Sequence, residues 1–347
     1  MKKLLLSAFI ITFSTLIAKA NLLTVPSGFS TIRQAIDASS DGDTIVVLQG
    51  TYFENINLKG KKILLTSLFY LGNDTSYISS TIINGSLPLQ PDTGSCVLMI
   101  SGEDSTTILQ GFTITGGTGT KWLDEHGAGT YREGGGILIQ YSSPVIRHNA
   151  IIYNTATNIS GVFGAGGGGL RIGDSNPQIL NNIIAHNQGK YGPGIVLNYS
   201  GGVLKNNLIC YNSGGQSYNG GGAIWANSNP AAATPKIIEN NTIYSNHAVV
   251  GTGGILSATT SVIVRNNILW NNTSPNNSQV YPIGGGTATV TYSDIQGGYT
   301  GSGNINSTVS LKVGGKAIYK VTATVGTASS GTHIINTLGI TLPANIV

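Results

Sequence analysis

The chain has 347 residues, of which only 9% are charged, whereas 49 are glycine. Three of its 18 basic groups lie in the first twenty residues, so the remainder carries 15 basic groups against 14 acids. A chain with this balance has no basic stripe that could follow a phosphate backbone, which excludes nucleic acid as its partner.

The first twenty residues predict a secretory signal peptide. Lys2 and Lys3 precede an apolar run that ends in Ala18-Lys19-Ala20, the small-x-small pattern of a cleavage site. This run is too short to span a bilayer, and no later run of about twenty apolar residues occurs. We therefore expect cleavage after Ala20, a secreted or cell-surface protein, and no membrane span.

Residues 21–60 predict an N-terminal cap followed by a first coil. Thr31 and Gln34 have the spacing of a capping box at a helix start. Three apolar residues nearby have helical spacing, namely Ile32, Ala35 and Ile36. A short amphipathic helix here would cover the end of a repeat array, which otherwise exposes its core and its strand edges.

A ten-residue motif containing two adjacent polar residues recurs five times, as in "IIENNTIYSN" at 237–246. The second residue of each pair, the anchor asparagine, is Asn149, Asn182, Asn207, Asn241 or Asn267. A further asparagine follows five places later, at Asn154, Asn187, Asn212, Asn246 and Asn272. Successive anchors are 33, 25, 34 and 26 residues apart, and a period of this size indicates stacked structural repeats.

Each repeat predicts three short strands. Aliphatic residues lie three before and two after each anchor asparagine, so these positions face a core. A third apolar run, preceded by glycines, lies upstream, as in "GGGILI" and "GGGLRI". Stacking pairs each strand with its copy in the next coil, and parallel strands joined by crossovers wind right-handed. The sequence therefore predicts an all-β fold, a right-handed parallel β-helix of three-strand coils over residues 61–305.

The five anchor asparagines are predicted to form a structural ladder. Asparagine tolerates the left-handed backbone of a tight corner, and stacked carboxamides can donate to and accept from one another. A ladder of this kind satisfies amides that would be costly to bury singly. We therefore assign these residues to the scaffold and not to catalysis.

Two segments resemble known β-helix proteins. The Gly50–Glu54 stretch "GTYFE" resembles the start of secreted pectin-lyase-like proteins, including pectin methylesterases. The stretch "STTILQGFTITGG" and the repeated coils resemble the wider family of exported β-helix repeat proteins. This resemblance covers roughly residues 24–298 and implies the fold. The later catalytic segments of pectin methylesterases have no counterpart, so we interpret Glu54 as structural.

Residues 306–347 predict a small C-terminal β segment, in which alternating β-branched residues replace the amide corners. The segment resembles part of the immunoglobulin-like repeats of bacterial surface proteins. A complete sandwich of that class needs about 100 residues. The segment is therefore expected to be either a cap on the β-helix or an incomplete module.

Residues 116–136, "GGTGTKWLDEHGAGTYREGGG", form a long connection rich in charged and aromatic side chains. Long loops on a rigid scaffold commonly carry function, and Arg171, one coil further on, is expected to lie beneath this one. The candidate catalytic residues are Lys121, Asp124, Glu125, His126, Arg132 and Arg171. The candidate binding residues are Trp122, Tyr131, Arg132 and Arg171. Three interpretations stay open: a solvated loop whose charges pair with one another, a binding site, or a catalytic site.

Acidic residues are scarce after residue 134, where only Asp174, Glu239 and Asp294 remain. Hydrolases need paired carboxylates, and lyases need a base and a charge-stabilising cation. The outward positions on the first strand of each coil, taken to be Leu138, Arg171, Val196, Ile224 and Leu256, are largely apolar. We therefore expect a non-catalytic surface or adhesion scaffold that binds a polysaccharide or cell-surface glycan.

The alternative is an enzyme of pectin-lyase-like fold, either a polysaccharide lyase or a glycoside hydrolase acting on acidic glycans. No metal and no cofactor is expected, except that a lyase could use Ca²⁺. The protein is expected to be a monomer.

Overall fold

The computed structural model describes residues 20–228, 235–276 and 278–307, together with the backbone of 310–313 and 321–324. Short strands wind repeatedly around one apolar core, and each full coil contributes one strand to each of three long parallel sheets. This architecture confirms the predicted right-handed parallel β-helix of three-strand coils.

The three long sheets are numbered in the order in which the chain passes through them within one coil. Sheet 1 contains Leu22–Val25, Thr44–Val47, Leu64–Ser67, Ile108–Gln110, Val145–Arg147, Gln178–Leu180, Gly202–Lys205, Lys236–Glu239, Ser261–Arg265 and Thr287–Thr291. Sheet 2 contains Gly50–Phe53, Thr81–Asn84, Thr113–Thr115, Ala150–Ile152, Ile183–Ala185, Leu208–Cys210, Thr242–Tyr244, Ile268–Trp270 and Asp294–Ile295. Sheet 3 contains Ile56–Asn57, Val97–Met99, Ile137–Gln140, Leu170–Gly173, Ile195–Asn198, Ile224–Asn227, Ile255–Ala258 and Val280–Ile283.

Smaller elements lie outside the three long sheets. A side sheet contains Thr93–Gly94, Gly119–Asp124, Gly129–Glu133 and Ala165–Gly166, and a shorter parallel sheet contains Gln188–Gly189, Ser213–Gly214 and His247–Ala248. Two α-helices, Ile32–Ala38 and Ser76–Ser80, and the 3₁₀ helix Leu68–Leu71 precede most of the coils. Near the C-terminus, Ser310–Val313 pairs antiparallel with Val321–Thr324.

The strand register places the aliphatic positions of the repeat inside. In sheet 1, Ile146 pairs with Ile179 and Leu204 pairs with Ile238. All four side chains are fully or almost fully buried in the central core. Because strand side chains alternate between the two faces of a sheet, burial of this set directs the neighbouring positions outward.

The helix Ile32–Ala38 lies at the N-terminal end of the coils. The Thr31 hydroxyl accepts a hydrogen bond from the backbone N–H of Gln34 at 3.1 Å. The buried Glu54 carboxylate accepts the N–H groups of Ile32 at 2.8 Å and Arg33 at 3.1 Å. Glu54 therefore satisfies free donors at a helix start, where its negative charge is also favourable.

The anchor asparagines stack at the corner between sheets 1 and 2. Each side-chain amide donates to the carboxamide oxygen of the next anchor at 3.0–3.2 Å. The Phe112 N–H donates to Asn149 at one end of the stack, and the Ser293 hydroxyl accepts from Asn267 at the other. A second stack, from Asn154 to Asn272, joins neighbouring carboxamides at 2.8–3.1 Å. We refer to the two stacks together as the amide ladder.

The left-handed corner residue is the one before each anchor and not the anchor itself. It has a φ of 53° at His148, 55° at Asn181 and 59° at Asn206. The corner therefore uses its two polar residues differently. The first supplies the bend, and the second supplies the buried hydrogen bonds.

One predicted outward position is wrong. Ile224 pairs with Ile195 and Ile255 and lies in the core, whereas Trp225 pairs with Val196 on the outer face. Ala223 occupies the place of the third glycine of the other repeats, so the strand begins one residue later than the glycine run suggested. A shift of one residue exchanges the two faces of a strand.

Two predictions concern segments outside the described residues. The predicted signal peptide covers residues 1–20, of which only Ala20 is described. In the segment 306–347, the description beyond residue 307 is limited to the two backbone strands already named. Within the described part of the chain, no helix is long and apolar enough to cross a membrane.

Candidate functional site

The segment 116–136 folds into a hairpin of Gly119–Asp124 and Gly129–Glu133. Trp122 pairs with Tyr131, and Thr120 pairs with Glu133. The second strand also pairs with Ala165–Gly166 of the next coil, which ties the hairpin to the β-helix. The hairpin is thus an ordered part of the side sheet.

Arg132 fixes the hairpin to the coil behind it. Its side chain is buried and donates to the carbonyl oxygens of Thr118 at 2.8 Å and Pro91 at 2.9 Å. Burial lowers the pKa of this guanidinium, while the nearby Asp92 opposes the shift. Both carbonyl groups belong to residues that flank strands of the side sheet, so Arg132 holds the hairpin in place.

A cleft of about 310 Å³ separates the hairpin from the outer face of sheet 3. Its lining combines aromatic rings, amides and carboxylates. The lining residues are Asp124, His126, Ala128, Tyr131, Glu133, Tyr191, Asn198, Tyr199, Tyr218, Asn219, Trp225, Asn227 and Ala258. This composition is typical of a small-molecule or sugar site, in which a few fixed polar groups lie among aromatic walls.

Glu133 is a nearly buried carboxylate of the cleft with two side-chain partners. One of its oxygens accepts a hydrogen bond from the Tyr191 hydroxyl, and the other lies 2.9 Å from Nε of Arg171. Arg171 is fully buried, and its Nη1 donates to the Gln140 side chain. Burial raises the pKa of Tyr191 well above its usual value, and the charge of Glu133 adds to the shift. Tyr191 therefore stays protonated and donates its hydrogen bond to the Glu133 carboxylate.

Asp124 closes the turn of the hairpin and also lines the cleft. Its Oδ1 accepts the N–H groups of His126 at 2.9 Å and Ala128 at 3.3 Å. Its Oδ2 accepts from the side-chain amide of Asn198 at 3.2 Å. These three donors fix the orientation of the carboxylate. Asp124 thus places a second negative charge in the same cleft as Glu133.

His126 lies at the mouth of the cleft, where two neighbours orient its ring. Its Nε2 is 3.0 Å from Oδ1 of Asp174. Its ring stacks on Tyr199 with 3.5 Å between the ring centroids. Asp174 also accepts from the Gln140 side chain at 2.9 Å, which fixes the carboxylate that faces the imidazole. An imidazole held in this way has a fixed orientation beside the cleft that it lines.

Aromatic side chains form the remaining wall of the cleft. The ring centroid of Tyr191 lies 5.3 Å from that of Trp225 and 5.1 Å from that of Tyr218. Nε1 of Trp225 donates to the Tyr218 carbonyl at 2.9 Å, and the hydroxyls of Tyr131 and Tyr218 are 3.3 Å apart. Burial raises the pKa of Tyr131, with its hydrogen bond to Tyr218 as a further cause. These rings are neutral and fixed, as a platform for a sugar face requires.

The structure divides the candidate residues into three groups. Asp124, His126 and Tyr131 line the cleft, and Arg171 lies beneath it in contact with Glu133. Lys121 faces Asp92 at 3.9 Å, and Trp122 donates to Glu125 at 2.7 Å, so none of these three enters the cleft lining. Arg132, expected as a catalytic or binding residue, is taken up by the supporting contacts already described.

Several cleft residues were not among the candidates. They are Glu133, Tyr191, Asn198, Tyr199, Tyr218, Trp225 and Asn227. Most of them come from later coils, which the winding of the chain brings beside the hairpin. Among the described residues, no group of three or more histidine, cysteine, aspartate or glutamate side chains could hold a metal ion.

These features define a right-handed parallel β-helix protein with an acidic, aromatic cleft on one flank. No model of a known protein family matches the chain, and no curated protein matches it. The solved structures that are similar to the chain include two pectin methylesterases. One is a pectin methylesterase variant in complex with a hexasaccharide, which is 11% identical over 83% of this chain and 90% of that chain, with a TM-score of 0.45. The other is a pectin methylesterase from carrot, which is 15% identical over 84% of this chain and 87% of that chain, with a TM-score of 0.46.

The expectation of a non-catalytic scaffold is wrong and is withdrawn. The argument against catalysis counted acids only after residue 134 and took the outer face of the first strand to be largely apolar. The structure places Asp124 and Glu133, both before that residue, in one cleft. At these identities the likeness extends to the fold alone, so any activity must be argued from the cleft.

Proposed function

We propose that this protein is a secreted enzyme that cleaves a polysaccharide by glycoside hydrolysis in the cleft beside the hairpin. The observation that carries the proposal is the buried Glu133 carboxylate, held by Tyr191 and Arg171 at an aromatic cleft that also contains Asp124. Glycoside hydrolysis proceeds through a positively charged sugar, which nearby carboxylates stabilise. Aromatic rings around the same space supply the surface on which a sugar ring can stack.

The proposed roles follow from the partners of each group. Glu133 is oriented by the Tyr191 hydroxyl and paired with the Arg171 guanidinium, which suits a base that activates water or a nucleophile that attacks the sugar. His126 is the proposed proton donor to the departing oxygen, because Asp174 holds its Nε2 and leaves Nδ1 for the substrate. Asp124 anchors the turn and adds negative charge where positive charge develops on the sugar.

Hydrolysis is favoured over elimination by the charges around the cleft. A lyase must stabilise the negative charge that builds up beside a uronate carboxylate, and this requires a free cation. Arg171 is already paired with Glu133, and no other arginine or lysine lines the described cleft. The proposed reaction therefore needs no bound metal.

The test is to incubate the purified protein with a panel of neutral and acidic polysaccharides and to measure new reducing ends. Glu133→Gln should lower kcat/KM by a factor of roughly 10² to 10⁴, the range for loss of a general base. Glu125→Gln is the matched control, because Glu125 is exposed and contacts Trp122 away from the cleft. It should retain the wild-type rate.

Two results would contradict the proposal. One is a Glu133→Gln protein with native circular dichroism and an undiminished rate. The other is release of unsaturated sugars, detected by ultraviolet absorbance, without hydrolysis, since this would assign the cleft to a lyase.

A further inference from the structure

We propose that the substrate is an uncharged, extended glycan that runs from the cleft along the outer face of sheet 3, towards the C-terminal coils. This inference rests on the proposed function and specifies its substrate class. It changes the substrate of the alternative prediction, in which the enzyme acts on acidic glycans. The supporting observations are the side chains on that face, their mutual hydrogen bonds and the distribution of charge.

The outer face of sheet 3 presents two rows of side chains beyond the hairpin. The strand register aligns Trp225 with Leu256 and Tyr281 in one row, and Asn227 with Ala258 and Ile283 in the other. None of these side chains is charged at neutral pH. Tyr281, Ala258 and Ile283 are partly exposed, so the face continues from the cleft as an accessible apolar and amide surface.

The amides beside the apolar row form a fixed chain of hydrogen bonds. Asn227 donates to the Asn198 side chain at 3.2 Å, and Asn198 donates to Asp124 at 3.2 Å. The Thr259 hydroxyl donates to Asn227 at 2.7 Å from the opposite side. A carboxamide and a hydroxyl held in place can bind sugar hydroxyl groups without a charge on the ligand. These amides, at the cleft end of the face, therefore match the hydroxylated edge of a neutral sugar.

The charge near the cleft disfavours an acidic ligand. Asp124, Glu133 and Asp174 are all negative, while Arg171 is buried and paired, and His126 faces Asp174. A uronate carboxylate in this groove would lose water and meet like charge without a cation in return, which is unfavourable. An uncharged sugar avoids both costs.

Spacing along the stack fits a chain of sugars better than a single one. Trp225 and Tyr281 lie two coils apart at equivalent positions, and coils repeat about every 4.8 Å, so the two rings are roughly 10 Å apart. Leu256, fully buried between them, packs in the same apolar cluster and supports the two rings from below. Trp225 borders the cleft, so a ligand that reaches Tyr281 must extend well beyond the reacting sugars.

The test is calorimetric binding to the Glu133→Gln protein, which should bind without cleaving. The probes are neutral xylo-, cello- and mannohexaoses and an acidic galacturonan hexamer. At least one neutral hexamer should bind at least about tenfold more tightly than the acidic one. Trp225→Ala and Tyr281→Ala should each weaken neutral binding about fivefold, the size expected for loss of one stacking contact.

The matched control is Trp270→Ala, because Trp270 lies on the outer face of sheet 2, away from the groove. It should leave binding unchanged. Tyr281→Ala keeps the test decisive if Trp225→Ala proves unstable, since Tyr281 is partly exposed and outside the cleft.

The outcomes separate this inference from the proposed function. Tighter binding of the galacturonan, or neutral binding unaffected by both substitutions, would overturn the inference and leave hydrolysis in the cleft untouched. Neutral binding that depends on Tyr281, with no cleavage by the wild-type protein, would support the groove and contradict the proposed function.

Discussion

The amide ladder and the cleft both bury polar side chains against the same rigid coils, but they satisfy them in different ways. In the ladder, each carboxamide repeats the partners of the one before it, as Asn149 and Asn182 do. In the cleft, Glu133 depends on two unlike partners that each occur once, a hydrogen bond from Tyr191 and an ion pair with Arg171. Repetition gives the ladder a scaffold role, whereas the single arrangement in the cleft concentrates charge where a ligand can reach it.

This difference has a physical consequence for mutation. A neutral amide removed from the ladder leaves unpaired dipoles, whereas a carboxylate removed from the cleft leaves an unpaired charge. The second is more costly in a region with little water. We therefore expect a larger loss of stability from a charge removed in the cleft than from an amide removed in the ladder. The reverse order would contradict this difference between the two regions.

The largest effect is expected for Glu133→Leu. It leaves Arg171 fully buried without its carboxylate, which should lower the free energy of unfolding by about 3–5 kcal/mol. The double variant Glu133→Leu with Arg171→Met removes both charges and should recover most of that loss. Urea denaturation of the wild-type protein and both variants measures the effect.

A loss below about 1 kcal/mol in the single variant would show that Arg171 finds another partner or water. The expectation that a buried charge in the cleft costs more to unpair than an amide in the ladder would then be contradicted. Neither variant should cleave glycan, so stability and activity must be measured separately here.

Asn182→Ala in the middle of the ladder should cost about 2–3 kcal/mol. Asn182 accepts both the backbone N–H and the side-chain amide of Asn149, and it donates to the Ile146 carbonyl at 2.9 Å. All of these groups are buried, and each loses a partner without gaining water. Thermal and urea denaturation would measure the loss.

The control is Asn266→Gly, at an exposed corner residue with a φ of 54° that glycine adopts freely. It should cost no more than a few tenths of a kcal/mol. Equal losses at the two positions would mean that the corner bend, and not the buried amide, carries the stability.

The ladder could be predicted from the sequence because its physics is local and repeated. Five copies of one motif fix the core positions, the corner and the stacking direction, and the register follows. The 116–136 segment was also recognisable, since Asp124, His126 and Tyr131 are close in sequence and unlike their surroundings. For these three, the prediction of a site and the lining of the cleft coincide.

The rest of the cleft could not be predicted because it depends on which coils the hairpin covers. Tyr191 and Tyr218 stand in turns of later coils, and no sequence signal links them to Glu133. Trp225 was missed for a smaller reason. Ala223 replaces a glycine at the bend, which shifts the strand by one residue and turns the indole outward.

Lys236 provides a third case, a buried cation without a repeated partner. Its ammonium donates to the hydroxyls of Ser228 at 3.1 Å and Thr260 at 2.9 Å, and burial lowers its pKa to about 8. The folded protein binds this proton less tightly than the unfolded chain. The contribution of Lys236 to stability is therefore greatest above pH 10.5, falls as the pH drops towards 8, and is constant below that.

Lys236→Met should accordingly raise the free energy of unfolding by about 2 kcal/mol at pH 7, and by less at pH 9.5. The Ser228 and Thr260 hydroxyls, 2.6 Å apart, can satisfy each other once the ammonium is gone. Urea denaturation at the two pH values tests this, with the exposed Lys59→Met as control. A gain that does not depend on pH would show that packing, and not the proton, is responsible.

The smallest effect is expected for Glu239→Gln on the outer face of sheet 1. Glu239 lies 3.6 Å from the Lys205 ammonium and 3.0 Å from the Arg265 guanidinium, and both cations are largely in water. Exposed pairs of this kind are worth about 0.5 kcal/mol, and salt screens them. The loss should therefore be measurable in dilute buffer and vanish in about 1 M NaCl. A loss that persists in high salt would show that Glu239 and its two cations interact as buried charges do, like Glu133 and Arg171.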